Sequence, residues 1–340
     1  MFGVKFGNYH SWHDLSLILT DKEIGTPAPK TALVNIPGGD GVLDFTEAFG
    51  GVKYENRKLS FDFVTIVPQE EFMEQFSLIQ NALHGQRMEI SLDADPGWFY
   101  TGRVSVSPWK ADRRVGKITI DCDCQPYKNR WTTKTVNLSG RNMLDLTTGT
   151  VTGGGTWTKT DTGYSFSRGE ATGGSFVWFP VPVGKGNEYI FSADYSGNSR
   201  LLYVYSDRLY GNLVAKSDSG NPCTFTAPST GVYVFGLYVS SNIPDGTFSN
   251  VMLQETALTG DYIPYDNTEK TLVATFQNTR KKAVPTIYVA GDLSVEIPSN
   301  YAALSPGINV YPEFSFGQGE TTLTFKGHGV AVVEWKEGGL

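Results

Sequence analysis

Two cysteines and two aspartates alternate through residues 117–124, KITIDCDC. In a strand, Cys122 and Cys124 share one face, and Asp121 and Asp123 share the other. Such a pair could ligate a metal or cycle as a redox couple, but zinc sites use wider pair spacing and further ligands. The reading adopted is two small buried apolar residues beside two solvated carboxylates. Cys223 is the third and last cysteine, so no disulfide framework is expected. His10 and His13 lack the partner glutamate of a zinc-protease helix and read as polar residues of a strand and turn. Asp93 and Asp95 could serve as catalytic carboxylates or calcium ligands. Within DADPG they read as turn chemistry instead, with Pro96-Gly97 suited to a type II turn. Gly184-Lys185-Gly186 is a turn and not a phosphate cradle, since no helix follows it. No P-loop, dinucleotide fingerprint or nucleophile elbow occurs, and no carboxylate pair is singled out for glycoside hydrolysis. The chain is expected not to be an enzyme.

The elements that would position side chains are mostly strands. The 340 residues carry 28 Lys+Arg against 35 Asp+Glu, a net charge of −7, with 13% aromatics and 38 glycines. That acidic balance disfavours a nucleic-acid partner, whose phosphates need a basic surface. No apolar run is long enough to span a membrane, and the N-terminus lacks the apolar core of an export signal. One helix is expected over 69–84, where Phe72, Phe76, Ile79 and Leu83 form a stripe and Gly85 follows as a C-terminal cap. Strands are expected at 58–67, 88–92 and 98–106 in the first part of the chain. From residue 137 the composition turns rich in Gly, Ser, Thr and aromatics, with 7 basic and 11 acidic residues over 137–266. Short runs at 175–179, 189–194, 201–205 and 232–239, separated by glycine turns, suit a β-sandwich. Later strands are expected at 271–276, 286–290, 293–297, 321–325 and 330–335, with turns at 317–319 and 327–329.

An ordered set of segments carries a family resemblance. It comprises IPGGDG at 36–41, LDFTE at 43–47, YENR at 54–57, LHGQ at 83–86, DADPGWFY at 93–100 with Gly102-Arg103, and CQPYK at 124–128. LSPGIN at 304–309 and LTFKGHGVAVVEW at 323–335 continue it at the C-terminal end. Over about 1–136 and 267–340 the chain resembles the distal tail (Dit) proteins of siphophages and prophages of Gram-positive bacteria. The resemblance implies a mainly β protein in three parts. Residues 1–130 would be a β-sandwich hub domain with one helix. Residues 131–136 and 267–340 would form a galectin-like C-terminal sandwich, and 137–266 an inserted jelly roll like a carbohydrate-binding module. Gly140–Leu144 (GRNML) and the segments 246–255 and 262–265 resemble the edges of such modules.

The implied assembly is a homo-hexameric ring at the virion tail tip, built in the bacterial cytoplasm. It would sit between the tail tube protein and the tail-associated protein, with the insert meeting host cell-wall polysaccharide. Sugar rings present C–H faces that pack on aromatics, and their hydroxyls need polar partners. Tyr203 and Tyr205 share one face of 201–205, and with Arg200 and Trp157 they are the expected saccharide contacts. Trp178, inside an unbroken apolar run, reads as core. Trp109, Arg113 and Arg114 are the ring-contact candidates. Modules of this kind often hold a structural calcium ion. Asp145, Asp245 and Glu255 are available oxygen donors, but their spacing specifies no site and no metal is assigned. An insert used only for protein contacts, and a cell-wall hydrolase, are the competing readings.

Overall fold

The computed structural model describes residues 3–48, 50–111, 115–196, 201–218, 222–241, 245–256, 261–297 and 300–340. The chain divides into two units: Met1–Trp131 with Thr279–Lys281 and Glu337–Leu340, and Thr132–Asn278 with Lys282–Lys336.

The first unit is an antiparallel sheet in the order Tyr9–His10, Val4–Phe6, Arg87–Leu92, Tyr100–Val106, Gly116–Cys124, Arg57–Thr65, Leu17–Ile24, with the short strand Lys110–Ala111 paired at one end. Phe6 meets Phe61 with ring centroids 5.8 Å apart, although three strands lie between theirs. Four steps of about 4.8 Å would hold them some 19 Å apart in a flat sheet. The sheet therefore folds back on itself and closes a core between its halves. The helix Phe72–Leu83 adds Ile79 and Leu83 to that core, and Gly85 takes the left-handed conformation at φ 74°.

Gly116–Cys124 alternates as its sequence implies. Cys122 and Cys124 are buried free thiols, while Asp121 accepts hydrogen bonds from Ser60 (2.7 Å) and Ser107 (3.2 Å) on the outer face. Burial pushes Cys124 up to about 12 and Cys223 up to about 11, and it raises Cys122 as well. Folded thiols thus keep their protons where unfolded ones lose them. Their contribution to stability is complete below the unfolded thiol value of about 8.5 and fades as pH climbs above it. At pH 8, Ellman's reagent is expected to leave all three thiols of the native protein unlabelled over the time in which it labels the unfolded chain fully. Fast labelling of the native protein would show the burial to be wrong.

Asp93 and Asp95 act on other segments, not only on their own turn. Asp93 accepts from the Gly3 N–H (2.7 Å) and lies 3.1 Å from His10 Nε2, while Asp95 accepts from Lys128 Nζ (2.8 Å). The pair ties the first strand and the 128 region to one hairpin end.

The second unit contains two apolar cores. One lies against a six-stranded sheet in the order Lys128–Asn137, Gly319–Gly339, Thr286–Ile297, Asn300–Leu304, with Lys270–Asn278 and Gly307–Val310 as further partners. The turn expected at 327–329 is absent: Gly319–Gly339 runs through as one strand, and 286–297 is likewise continuous. Gly291 pairs with Gly329 at φ 103° and 131°, and a Cβ on either would strike the opposite backbone. These glycines let two paired strands approach closely and bend without breaking.

The other core is a sandwich of two five-stranded sheets. The first is Thr150–Gly153, Ser175–Val183, Gly231–Val239, Leu201–Tyr205, Leu213–Asp218; the second is Thr156–Lys159, Tyr164–Ser167, Gly246–Glu255, Glu188–Ser196, Cys223–Thr226. Its segment opens and closes at one place, because the Asp266 N–H donates to the Ser139 carbonyl (3.0 Å). Val330 belongs to this core, while its neighbours Ala331 and Val333 belong to the other.

Candidate functional site

The first sheet of the sandwich is apolar on both faces. Val177, Phe179, Leu202, Val204, Phe235 and Leu237 point into the core. Strand alternation then puts Phe176, Trp178, Tyr203, Tyr205 and Tyr238 on the opposite face. The register sets them in rows: Phe176 is opposite Tyr238, and Gly236 lies between Trp178 and Tyr203.

Gly236 leaves a gap in that middle row. Phe176 leans into it, 3.2 Å from where a Cβ on Gly236 would stand. Three tyrosines cover Phe176, with centroids 4.4 Å away for Tyr238, 5.6 Å for Tyr203 and 5.4 Å for Tyr210. Tyr203 and Tyr205 lie parallel, 5.8 Å apart with 3° between their planes. The cluster is a floor with a rim: Phe176 is 3% and Tyr205 7% exposed, whereas Tyr210 is 66% exposed. Trp178 is half-buried at the next row, its indole N–H donating to Thr152 Oγ1 (3.1 Å).

Burial raises the Tyr205 and Tyr210 phenols above their ordinary value, with neighbouring phenols adding to it. At neutral pH these hydroxyls keep their protons, so each can donate as well as accept. Lys216 stands opposite Tyr203 on the last strand and is exposed. Flat apolar faces edged by neutral hydroxyls suit a ligand that is itself apolar on its faces and hydroxylated at its rim.

Of the expected saccharide contacts, the structure brings Tyr203 and Tyr205 together. Trp157 lies on the other sheet, wedged against Phe166 (5.0 Å) and Phe248 (5.8 Å), with its indole N–H donating to the buried Ser175 (2.8 Å). Arg200 lies outside the described residues, as do Arg113 and Arg114. Trp109 is half-buried under the helix, 5.6 Å from Phe72 and 5.5 Å from Phe76. Phe176, Tyr210 and Tyr238 join the face without being among the expected contacts, and Trp178 lies on the outer face and not in the core. The available signal was that an amphipathic strand should be polar on alternate residues, whereas 175–181 is apolar on both sets.

The three calcium-donor candidates are engaged separately. Asp145 accepts from the Thr147 N–H (2.8 Å) and hydroxyl (2.7 Å), Asp245 from Ser167 and the Arg168 N–H, and Glu255 from Asn187. Among the described residues, no three His, Cys, Asp or Glu side chains gather as a metal site would require. No helix there is long and apolar enough to cross a membrane.

No family model matches the chain, and no curated protein matches it. Solved structures do resemble it. The Dit protein of phage SPP1, described as a paradigm of the hub adsorption apparatus in phages infecting Gram-positive bacteria, aligns over 100% of both chains at 13% identity and a TM-score of 0.39. A Paenibacillus xanthan lyase aligns over 85% of this chain and 36% of its own at 11% identity and a TM-score of 0.22. At these scores neither adds weight to the geometry.

Proposed function

We propose that the protein is a non-catalytic hub of a phage or prophage tail tip whose segment 137–266 binds host cell-wall saccharide. The observation that carries the binding role is the aromatic outer face of the first sandwich sheet, with Phe176 as floor and Tyr203, Tyr210, Tyr238 and Trp178 around it. An apolar face of this kind, outside a core that is already filled, is a binding feature more than a stability feature. The hub role rests on the ordered segments that resemble those of distal tail proteins. In that reading, 1–130 forms a homo-hexameric ring between tail tube and tail-associated protein, and 131–136 with 267–340 forms an outer galectin-like sandwich. Ring closure would repeat one heterologous interface around the axis.

Light scattering of the purified protein is expected to give six times the 37.3 kDa chain mass. A strictly monomeric particle at high concentration would overturn the ring. Full-length protein should sediment with walls of Gram-positive bacteria, and polysaccharide released from the same walls should compete it off. Deletion of 137–266 should abolish sedimentation while the particle still contains six of the shortened chains. Tyrosine-rich faces also bind proteins. Competition by free polysaccharide separates the two readings, since a protein-docking face would ignore it.

A further inference from the structure

A second concavity within the Thr132–Asn278 and Lys282–Lys336 unit has a different chemistry. It encloses about 490 Å³. Its walls are aliphatic, from Pro180, Val232, Val289 and Pro306. Its polar side chains are Asp145, Asp292, Tyr265, His328 and Thr148, and among the described residues neither lysine nor arginine lines it. The bent glycine ladder places two of them: Asp292 and His328 are cross-strand partners, flanked by the Gly291–Gly329 pair. Tyr265 lines the cavity beside His328. Its hydroxyl lies 3.5 Å from His328 Nδ1, and burial raises its phenol, with the Asp145 and Asp266 charges adding to the effect. Both hydrogen bonds from Thr147 end on Asp145 Oδ1, which fixes that carboxylate in place.

We propose that this cavity binds a small primary amine, its ammonium between the Asp145 and Asp292 carboxylates and its saturated body against Pro180, Val232 and Val289. Charge selects the ligand. Two carboxylates with no lining cation repel an anion, and a neutral alcohol forgoes the charge-assisted bonds an ammonium makes. The aliphatic walls reject a fully hydrated ion such as ammonium itself, because nothing replaces its water on the apolar side. Asp145 is half-buried and Asp292 exposed, so Asp145 carries the larger share.

The test uses the full chain and three probes of one shape: cyclohexylamine, cyclohexanol and cyclohexanecarboxylate, titrated calorimetrically at pH 7. Cyclohexylamine is expected to bind in the millimolar range, cyclohexanol about tenfold more weakly, and the carboxylate not at all. Asp145→Asn should weaken the amine about tenfold while keeping the Thr147 cap, since asparagine caps equally well. Asp292→Asn should weaken it a few-fold. Thr148→Trp, at an exposed position on the cavity lining, should block all binding and lower the melting temperature only slightly, through loss of the Thr148 hydroxyl's bond to the Asp145 carbonyl (2.8 Å). Equal binding of the three probes, amine binding that survives Thr148→Trp, or an unaltered affinity in Asp145→Asn would each overturn the proposal. None of these results bears on saccharide retention by the aromatic face, which is read with different probes.

Discussion

Tyr203→Ala in the full chain is expected to cut retention on wall polysaccharide about 30-fold, the equivalent of about 2 kcal/mol for a central aromatic contact. Tyr203 touches Phe176, Tyr205 and Tyr238 and is half-exposed, so its loss opens the platform at its middle without opening the core beneath. Leu202 and Val204, its neighbours on the inward side, stay where they are. Trp178→Ala should act in the same direction from the other side of Gly236. Gly236→Val gives a further arm, because its side chain would displace the Phe176 floor. Sedimentation with walls reads the affinity, and far-ultraviolet circular dichroism reads the fold. Wall binding that survives Tyr203→Ala and Trp178→Ala together would sink the saccharide role of this face.

The largest stability effect is expected from Phe248→Ala. Phe248 is fully buried in the sandwich, stacked on Trp157 at 5.8 Å and against Tyr195 at 4.6 Å. Truncating such a residue removes its transfer free energy and leaves a cavity, a loss of about 3–5 kcal/mol. For a body of this size that lowers the melting temperature by roughly 6–20 °C. The core of the first unit shares no residue with this cluster. Scanning calorimetry should therefore show the transition of the second unit fall while that of Met1–Trp131 holds. A uniform shift of every transition would mean that the cores melt as one. No shift at all would mean that Phe248 is not packed as described.

These two sites show what the sequence could and could not disclose. The helix at Phe72–Leu83 and the alternation of Cys122 and Cys124 were legible because each buries one face and wets the other. Periodicity reads that contrast directly. The outer aromatic face was half-legible: Tyr203 and Tyr205 stood out against Leu202 and Val204 in a short strand. Trp178 did not, because its strand is apolar on both faces, and a run of that kind looks the same as a buried one. Trp157 misled for the opposite reason. It sits in a polar stretch, yet its ring reaches into the core through neighbours supplied by Tyr164–Ser167 and Gly246–Glu255. In the sequence alone, the glycines at 327 and 329 have the signature of a turn. Only Gly291, facing Gly329 and far earlier in the sequence, shows that they serve a close crossing of strands instead. Asp145 and Asp292 lie far apart in sequence, and no spacing rule could have joined them.

The hydrogen bond between Ser139 and Asp266 has a consequence for how such a chain could diversify. The entire segment between them departs and returns across a single 3.0 Å contact, so its removal leaves a gap that a few flexible residues would span. A segment attached in this way behaves as a cassette. Under the proposed role, recombination could exchange one recognition surface for another, with compensating change confined to the few outside positions that pack on the segment, such as Val330. In the proposed tail-tip role, adsorption specificity could then evolve by replacement in one event, faster than point substitution within a fixed scaffold would permit.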